Sequence, residues 1–209
     1  MEIFLLLGYF ALVVFAVRPI AAQLRQPLIQ HLVFASAAIL SLLWWFRAGI
    51  YEGLDVHFLW LTAVTLTLGW RWALFSSALA TFTTYFMGNL GIHELGAYGL
   101  IGCALPIFFS YSAYVFAYHN LPRHFIVYIF FCSFIVAAGS IALKMLIYAL
   151  YVNKLGLYSW PILFDNYLLL IPLLLFPEGL LNGMMMTLLV IYKPEWVKTF
   201  NDKEYLNGK

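Results

Sequence analysis

One histidine and two acidic residues cluster in the first half of the chain, at Glu52, Asp55 and His57. Imidazole nitrogen and carboxylate oxygen are ligands that suit divalent transition metal ions such as nickel, cobalt, zinc or copper. Gly49 and Gly53 place the cluster in a loop that leads into a short apolar segment. The residues therefore form a candidate metal site. The alternative is that both acids are solvated loop residues and that His57 caps a helix.

A second histidine and acid pair, His93 and Glu94, lies in the glycine-rich connection of residues 88–97. The alternative for this pair is a tight turn with a polar tip. A further carboxylate stands near the start of the chain, on the side of the membrane to which both histidines are assigned below. The candidate metal ligands are therefore His57, His93, Glu94, Asp55 and Glu2.

The elements that must position these residues are predicted to be transmembrane helices. The chain is 65% hydrophobic and 10% charged, against about 25% charged residues in an ordinary soluble domain. About 20 apolar residues are needed to cross a membrane as a helix. The predicted spans are residues 3–17, 32–46, 57–69, 72–88, 95–118, 125–152 and 166–192. The third is short, since at 1.5 Å per residue it reaches only about 20 Å unless it begins earlier, near Leu54.

Positive charge sets the expected orientation, because Lys and Arg concentrate in cytoplasmic loops. With an outside N-terminus, the inner side receives Arg18, Arg25, Arg71, Arg123, Lys193, Lys198, Lys203 and Lys209. The outer side receives Arg47 and Lys154. The sequence thus predicts an all-α integral membrane protein, a bundle of about seven helices with its N-terminus outside and its C-terminus inside. Residues 1–192 form one transmembrane domain, and residues 193–209 form a cytoplasmic interfacial tail.

Two charged residues, Lys144 and Glu178, fall inside predicted spans. Each costs about 2.5–3.5 kcal/mol at a helix centre on insertion scales, so their presence needs a reason. One interpretation is that they pair with each other or serve a cation or proton path. The other is that the long side chain of Lys144 extends to the membrane interface.

The sequence also argues against several classes of function. It has no glycine-rich phosphate loop ending in Lys-Ser/Thr, so the chain is not expected to hydrolyse ATP. The common hydrolase motifs are absent too, which predicts a protein that is not an enzyme. The net charge of +2 follows from the orientation bias and indicates no nucleic-acid partner. We expect membrane lipid as a partner and no tightly bound cofactor.

Several of these segments resemble the CbiM/NikM family, the membrane substrate-capture components of the cobalt and nickel importers among energy-coupling-factor ABC transporters. Residues 57–59 resemble the loop-borne histidine of the family, and residues 69–72 loosely resemble its Gly-Pro-Trp turn. Residues 88–97 resemble its Gly-Asp-Gly-Gly…Leu-Gly-Ala-Asn run, and residues 177–179 its Glu-Gly/Ala motif near the C-terminus.

The resemblance implies a divalent ion held by His57 in a pocket that opens to the outside of a bacterial inner membrane. It also implies a cytoplasmic ATPase pair and a coupling membrane subunit as partners. Two positions depart from the family pattern. The second residue is Glu2 where the family has a ligating histidine, so its carboxylate is expected to supply oxygen instead, or the site is lost. The asparagine after Leu-Gly-Ala is Tyr98 here.

A different class of function is compatible with the same residues. A bundle of this type that has lost its metal site would serve as a non-transporting accessory subunit that assembles or stabilises a larger membrane complex. The missing N-terminal histidine and the aromatic-rich surface motivate this alternative.

Overall fold

The chain folds into helices joined by short connections. The computed structural model describes residues 2–201 and residue 205. Within these residues there are seven helical segments and no strand, which confirms the all-α prediction. They are α1 (Glu2–Val17, continued by a 3-10 helix at Arg18–Arg25), α2 (Pro27–Trp45), α3 (Leu61–Leu68), α4 (Trp70–Phe86), α5 (Leu95–Asn120), α6 (Phe125–Lys154) and α7 (Trp160–Tyr192).

Five of the described helices, α1, α2, α5, α6 and α7, are long and apolar enough to cross a membrane. Their outward faces carry large apolar side chains that are more than half exposed, among them Phe4, Phe15, Phe116 and Leu173. Such faces have no favourable contact with water and are suited to lipid. The chain is a multi-pass membrane protein.

The bundle has two ends that carry different residues. Segments 46–60, 87–94 and 155–159 meet at one end, here called the His57 end. Segments 18–26, 121–124 and 193–201 meet at the other, here called the tail end. Glu2 lies at the His57 end, where it contacts His93, and Asn201 lies at the tail end. The described chain therefore begins and finishes at opposite ends, as an odd number of passages requires.

Helix α3 differs from the predicted third span. It has only eight residues, all of them buried, and it begins at Leu61 rather than at His57. Trp60, the residue before it, adopts a left-handed conformation with φ of 54°. Eight residues cover about 12 Å, so residues 56–60 descend into the bundle without helical hydrogen bonds. Irregular backbone at membrane depth is tolerated only where other protein groups satisfy it.

Helix α7 supplies those groups at the N-terminus of α3. The Leu59 and Trp60 N–H groups donate to the two carboxylate oxygens of Glu178, at 2.9 and 2.8 Å. The Ala63 N–H donates to Oδ1 of Asn182 at 2.8 Å, and Nδ2 of Asn182 donates to Glu178. These N–H groups lack partners within α3 itself. The carboxylate of Glu178, rather than any group near His57, therefore meets the positive end of the α3 dipole.

The C-terminal tail satisfies the other end of α3. The Lys198 N–H donates to the Thr67 carbonyl at 2.9 Å, and the Thr199 hydroxyl donates to the Leu66 carbonyl at 2.7 Å. Phe200 and Tyr205 pack on Tyr128 of α6. The described part of the tail thus packs against the bundle. The tail charges Lys203 and Lys209 lie outside the described residues.

Helices α6 and α7 cross closely at Gly179. A Cβ atom placed at Gly179 would lie 2.9 Å from the Phe134 carbonyl oxygen and 3.2 Å from its ring. A Cβ atom at Gly183, one turn further, would find Phe134 at 3.6 Å, an ordinary contact. The first glycine is therefore required by the crossing, and the second is not.

We expect Gly179→Ala to lower the free energy of unfolding by about 1–3 kcal/mol, because backbone must move to admit the methyl group. Gly183→Ala is the matched control and is expected to be neutral or slightly stabilising, since alanine favours helix. The midpoints of thermal unfolding of the purified proteins measure the difference. Equal midpoints for the two variants would contradict the close crossing.

Candidate metal site

A cavity of about 260 Å³ opens at the His57 end of the bundle. Its walls come from the loop of residues 46–60, the glycine-rich connection of residues 87–94, and the ends of α5 and α6 that lie beside them. Among the side chains that line it are Arg47, Asp55, His57, Glu94, Tyr98 and Lys144. Residues far apart in sequence thus form one polar site.

His57 is the buried imidazole of this cavity, with 5% of its surface exposed. The loop that carries it is held by Trp44, whose indole N–H donates to the Leu59 carbonyl at 3.3 Å. Nδ1 of His57 lies 3.1 Å from the Phe58 carbonyl oxygen, which can only accept a hydrogen bond. Nδ1 therefore carries the hydrogen. The lone pair of Nε2 accepts from the Tyr98 hydroxyl at 2.9 Å.

The protonation state of His57 suits metal binding. The ring is buried, and the positive charges of Lys144 and Arg47 in the same cavity oppose its protonation. The imidazole is therefore neutral at neutral pH, and no proton has to be displaced from Nε2 before an ion binds.

Arg47 joins the two loops that form the rim of the cavity. Its Nε donates to the Trp44 carbonyl at 3.1 Å, and its Nη1 donates to the Asn89 carbonyl at 2.9 Å. The same Nη1 lies 3.8 Å from Oδ2 of Asp55. The guanidinium thus links the end of α2 to the connection of residues 87–94, with the Asp55 carboxylate close to it.

The predicted ligands fall into two groups. Asp55 and Glu94 line the cavity together with His57, and Glu94 accepts a hydrogen bond from the Gly91 N–H at 2.9 Å. His93 and Glu2 lie outside it. Nδ1 of His93 is 3.1 Å from the carboxylate of Glu2, and the His93 side chain is 79% exposed. The structure therefore brings three of the five candidates together and leaves two paired with each other on the surface.

Lys144 and Glu178 have separate surroundings. Lys144 lines the cavity, is 5% exposed, and donates to the Tyr167 hydroxyl at 3.3 Å. The interpretation that its side chain extends to the interface does not describe this buried position. Glu178 holds the N-terminus of α3, and no ion pair joins it to Lys144 in the described part of the chain.

The cavity does not contain a complete set of metal ligands. Among residues 2–201 and 205, no three side chains of the His, Cys, Asp and Glu types lie close enough together to hold an ion. His57 offers one nitrogen, with Asp55 and Glu94 in the same walls. An ion bound at Nε2 must therefore take its remaining ligands from movement of these acids, from water, or from a molecule that arrives with it.

Sequence reasoning did not assign Arg47, Tyr98 or Tyr148 to this site. The signal for Tyr98 was present, since it follows Leu-Gly-Ala and stands four residues, about one helical turn, after the candidate ligand Glu94. Its hydroxyl contacts His57 across 41 positions of sequence. Tyr98 also begins a π-helical stretch, Tyr98–Ala104, within α5. Such stretches are frequent at functional sites.

Comparison with known proteins identifies one family, and the match covers nearly the whole chain. The family model described as the cobalt uptake substrate-specific transmembrane region, CbiM, matches residues 3–196. No curated protein and no solved structure matches the chain. The family match confirms the resemblance to a CbiM-like component, and it lends no support to an accessory subunit without a substrate. The chain belongs to the CbiM family, the membrane components of cobalt uptake that determine the substrate.

Proposed function

We propose that this chain captures a divalent transition metal ion, of the cobalt or nickel type, in the cavity at the His57 end. The observation that carries the proposal is the neutral imidazole of His57, with its Nε2 lone pair at the wall of a 260 Å³ cavity that also contains carboxylates. Nitrogen and oxygen donors together suit Co²⁺ and Ni²⁺. His57 is the principal ligand, with Asp55 and Glu94 as oxygen donors.

The distribution of positive charge supports placing this cavity on the outside of a bacterial inner membrane. Arg18, Arg25, Arg71, Arg123 and Lys193 all belong to the tail end, which the rule for cytoplasmic loops assigns to the inside. Import then needs an energy source that the chain does not encode. A cytoplasmic ATPase pair and a coupling membrane subunit would supply it from the tail end.

The direct test is the metal content of the purified protein. Detergent-purified chain is incubated with Co²⁺, Ni²⁺, Zn²⁺ or Cu²⁺ in separate samples, dialysed, and analysed by inductively coupled plasma mass spectrometry. We expect near-stoichiometric retention of at least one ion. Absence of all four from the dialysed protein, whether each ion is supplied alone or together with a small organic chelator, would overturn the proposal.

Tyr98 competes with the ion for Nε2, because its hydroxyl donates to the same lone pair. We expect Tyr98→Phe to tighten metal binding by about fivefold, the value of one ordinary hydrogen bond of about 1 kcal/mol. Isothermal titration of the purified variant measures the change, and Tyr158→Phe, whose hydroxyl contacts the Glu52 carbonyl at the rim, is the matched control. Weaker binding in Tyr98→Phe would contradict this competition.

A further inference from the structure

The cavity contains a buried ammonium group with unused hydrogen-bonding capacity. Nζ of Lys144 has three donors, and it donates to the Tyr167 hydroxyl at 3.3 Å. The rings of Tyr148 and Tyr167 lie 5.6 and 5.9 Å from it. No carboxylate of the described residues forms an ion pair with it. A buried charge without a hydrogen-bonded counter-ion is costly. An anion in the cavity would remove that cost.

The guanidinium of Arg47 has a free donor beside the same cavity. Its Nε and Nη1 are engaged by carbonyl groups and by Asp55, whereas Nη2 is buried and has no hydrogen-bond partner. Arg and Lys donors of this kind bind carboxylates well. Two cationic side chains therefore line the cavity that holds His57, and both have donors to spare.

These charges oppose the entry of a bare divalent ion. An ion at Nε2 of His57 would be repelled by the positive charges of Lys144 and Arg47, which line the same cavity. Of the three carboxylates in the walls, Asp55 and Glu94 can bind an ion only by giving up the contacts they already make, with Arg47 and with the Gly91 N–H, and Glu52 is exposed at the rim. The ligand set is also incomplete among the described residues. A ligand that brings both negative charge and metal donors meets all of these conditions.

The size of the cavity agrees with such a ligand. A volume of 260 Å³ corresponds to the space of roughly eight or nine water molecules, at about 30 Å³ each. A single ion with one or two water ligands would leave space for several further water molecules. A small organic acid of about ten non-hydrogen atoms, together with one ion, would fill it.

We propose that the substrate enters this cavity as a carboxylate-bearing chelate of the metal ion, with His57 Nε2 on the metal and Lys144 and Arg47 on the carboxylates. The proposal rests on the proposed function, since it specifies the form in which the ion is captured. Binding exchanges one water ligand of the chelated ion for Nε2, with no change of oxidation state. The organic ligand remains bound through the two cationic side chains.

A double-label experiment tests the form of the substrate. The purified chain in lipid nanodiscs is dialysed against ⁵⁷Co²⁺ alone, or with [¹⁴C]citrate or [¹⁴C]histidine as the chelator. We expect each effective chelator to raise cobalt retention and to be retained itself in a ratio of about one to the metal. If cobalt binds alone, and both chelators in excess only remove it without ¹⁴C retention, the proposal is overturned.

Substitutions of Lys144 test whether its ammonium group binds the carboxylates of the chelate. Lys144→Met removes the charge at similar length and is expected to weaken retention of the labelled chelate at least about tenfold, whereas Lys144→Arg retains it. Lys154→Met, an exposed lysine at the same end of the bundle, is the control. Undiminished chelate retention in folded Lys144→Met would overturn the role of Lys144.

The same labelling experiment, repeated on His57→Ala, separates this inference from the proposed function. Cobalt that binds alone, is lost in His57→Ala and is merely removed by chelators leaves metal capture intact and refutes the chelate. Absence of cobalt under every condition refutes both.

Discussion

Metal retention is expected to fall by more than about 100-fold in His57→Ala, while the thermal unfolding midpoint stays close to that of the wild type. Loss of a residue that only orients a ligand costs about 10–100-fold in metal affinity, so loss of the ligand itself must cost at least as much. The stability should survive because the ring lines a polar cavity that water can fill. Metal content by mass spectrometry and thermal unfolding of the same preparation measure both effects.

His93→Ala is the matched control for this experiment. His93 is a histidine at the same end of the bundle, but its side chain is 79% exposed and it pairs with Glu2 outside the cavity. Its removal should leave metal retention unchanged. Normal metal content in His57→Ala, or loss in His93→Ala, would place the site elsewhere.

Glu178→Leu is expected to destabilise the bundle by at least about 3 kcal/mol. Its carboxylate accepts from the Leu59 N–H, the Trp60 N–H and the Asn182 amide, all in the bundle interior. Each buried donor left without an acceptor costs about 1–3 kcal/mol. Because Leu59 follows His57 by two residues, metal affinity should fall together with stability.

Two further variants test whether the acceptor oxygens of Glu178 account for the loss of stability. Glu178→Gln keeps one acceptor oxygen and should lose less stability than Glu178→Leu. Glu195→Leu, at an exposed acid of the tail end, should be neutral. The midpoints of thermal unfolding rank the three, and hydrogen exchange at the Leu59 and Trp60 amides reports the loop directly. If Glu178→Leu unfolds at the wild-type temperature, the carboxylate is not what holds the start of α3.

Much of the bundle could be predicted from the chain because membrane insertion is a local requirement. Each long apolar segment must form its own helical hydrogen bonds, so composition and length locate the helices one at a time. The short third segment was recognisable for the same reason. Its start was not, since the left-handed conformation of Trp60 and its bond to Glu178 depend on a residue 118 positions away.

The candidate site, like the bundle, could be predicted from the sequence only in part. The residue types of His57, Asp55 and Glu94 indicated metal chemistry, and the glycine-bearing loops indicated where the backbone could approach a ligand. Spacing along the chain could not show that His93 and Glu2 face outward and pair with each other. His93 directly precedes the cavity residue Glu94, whereas Glu2 stands at the start of α1, and only the packing of α1 against α5 brings the two together.

The sequence by itself determined the helices, their apolar faces and the family, since these depend on residue types over short stretches. The tertiary structure alone decided which charges share a cavity. Arg47, His57, Tyr98 and Lys144 lie on three different parts of the chain, and they meet because α2, α5 and α6 bring them to one end of the bundle. Electrostatic interaction depends on distance in space. The preference for a chelate over a bare ion therefore depends on the folded protein, in which Lys144 and Arg47 share a cavity with His57.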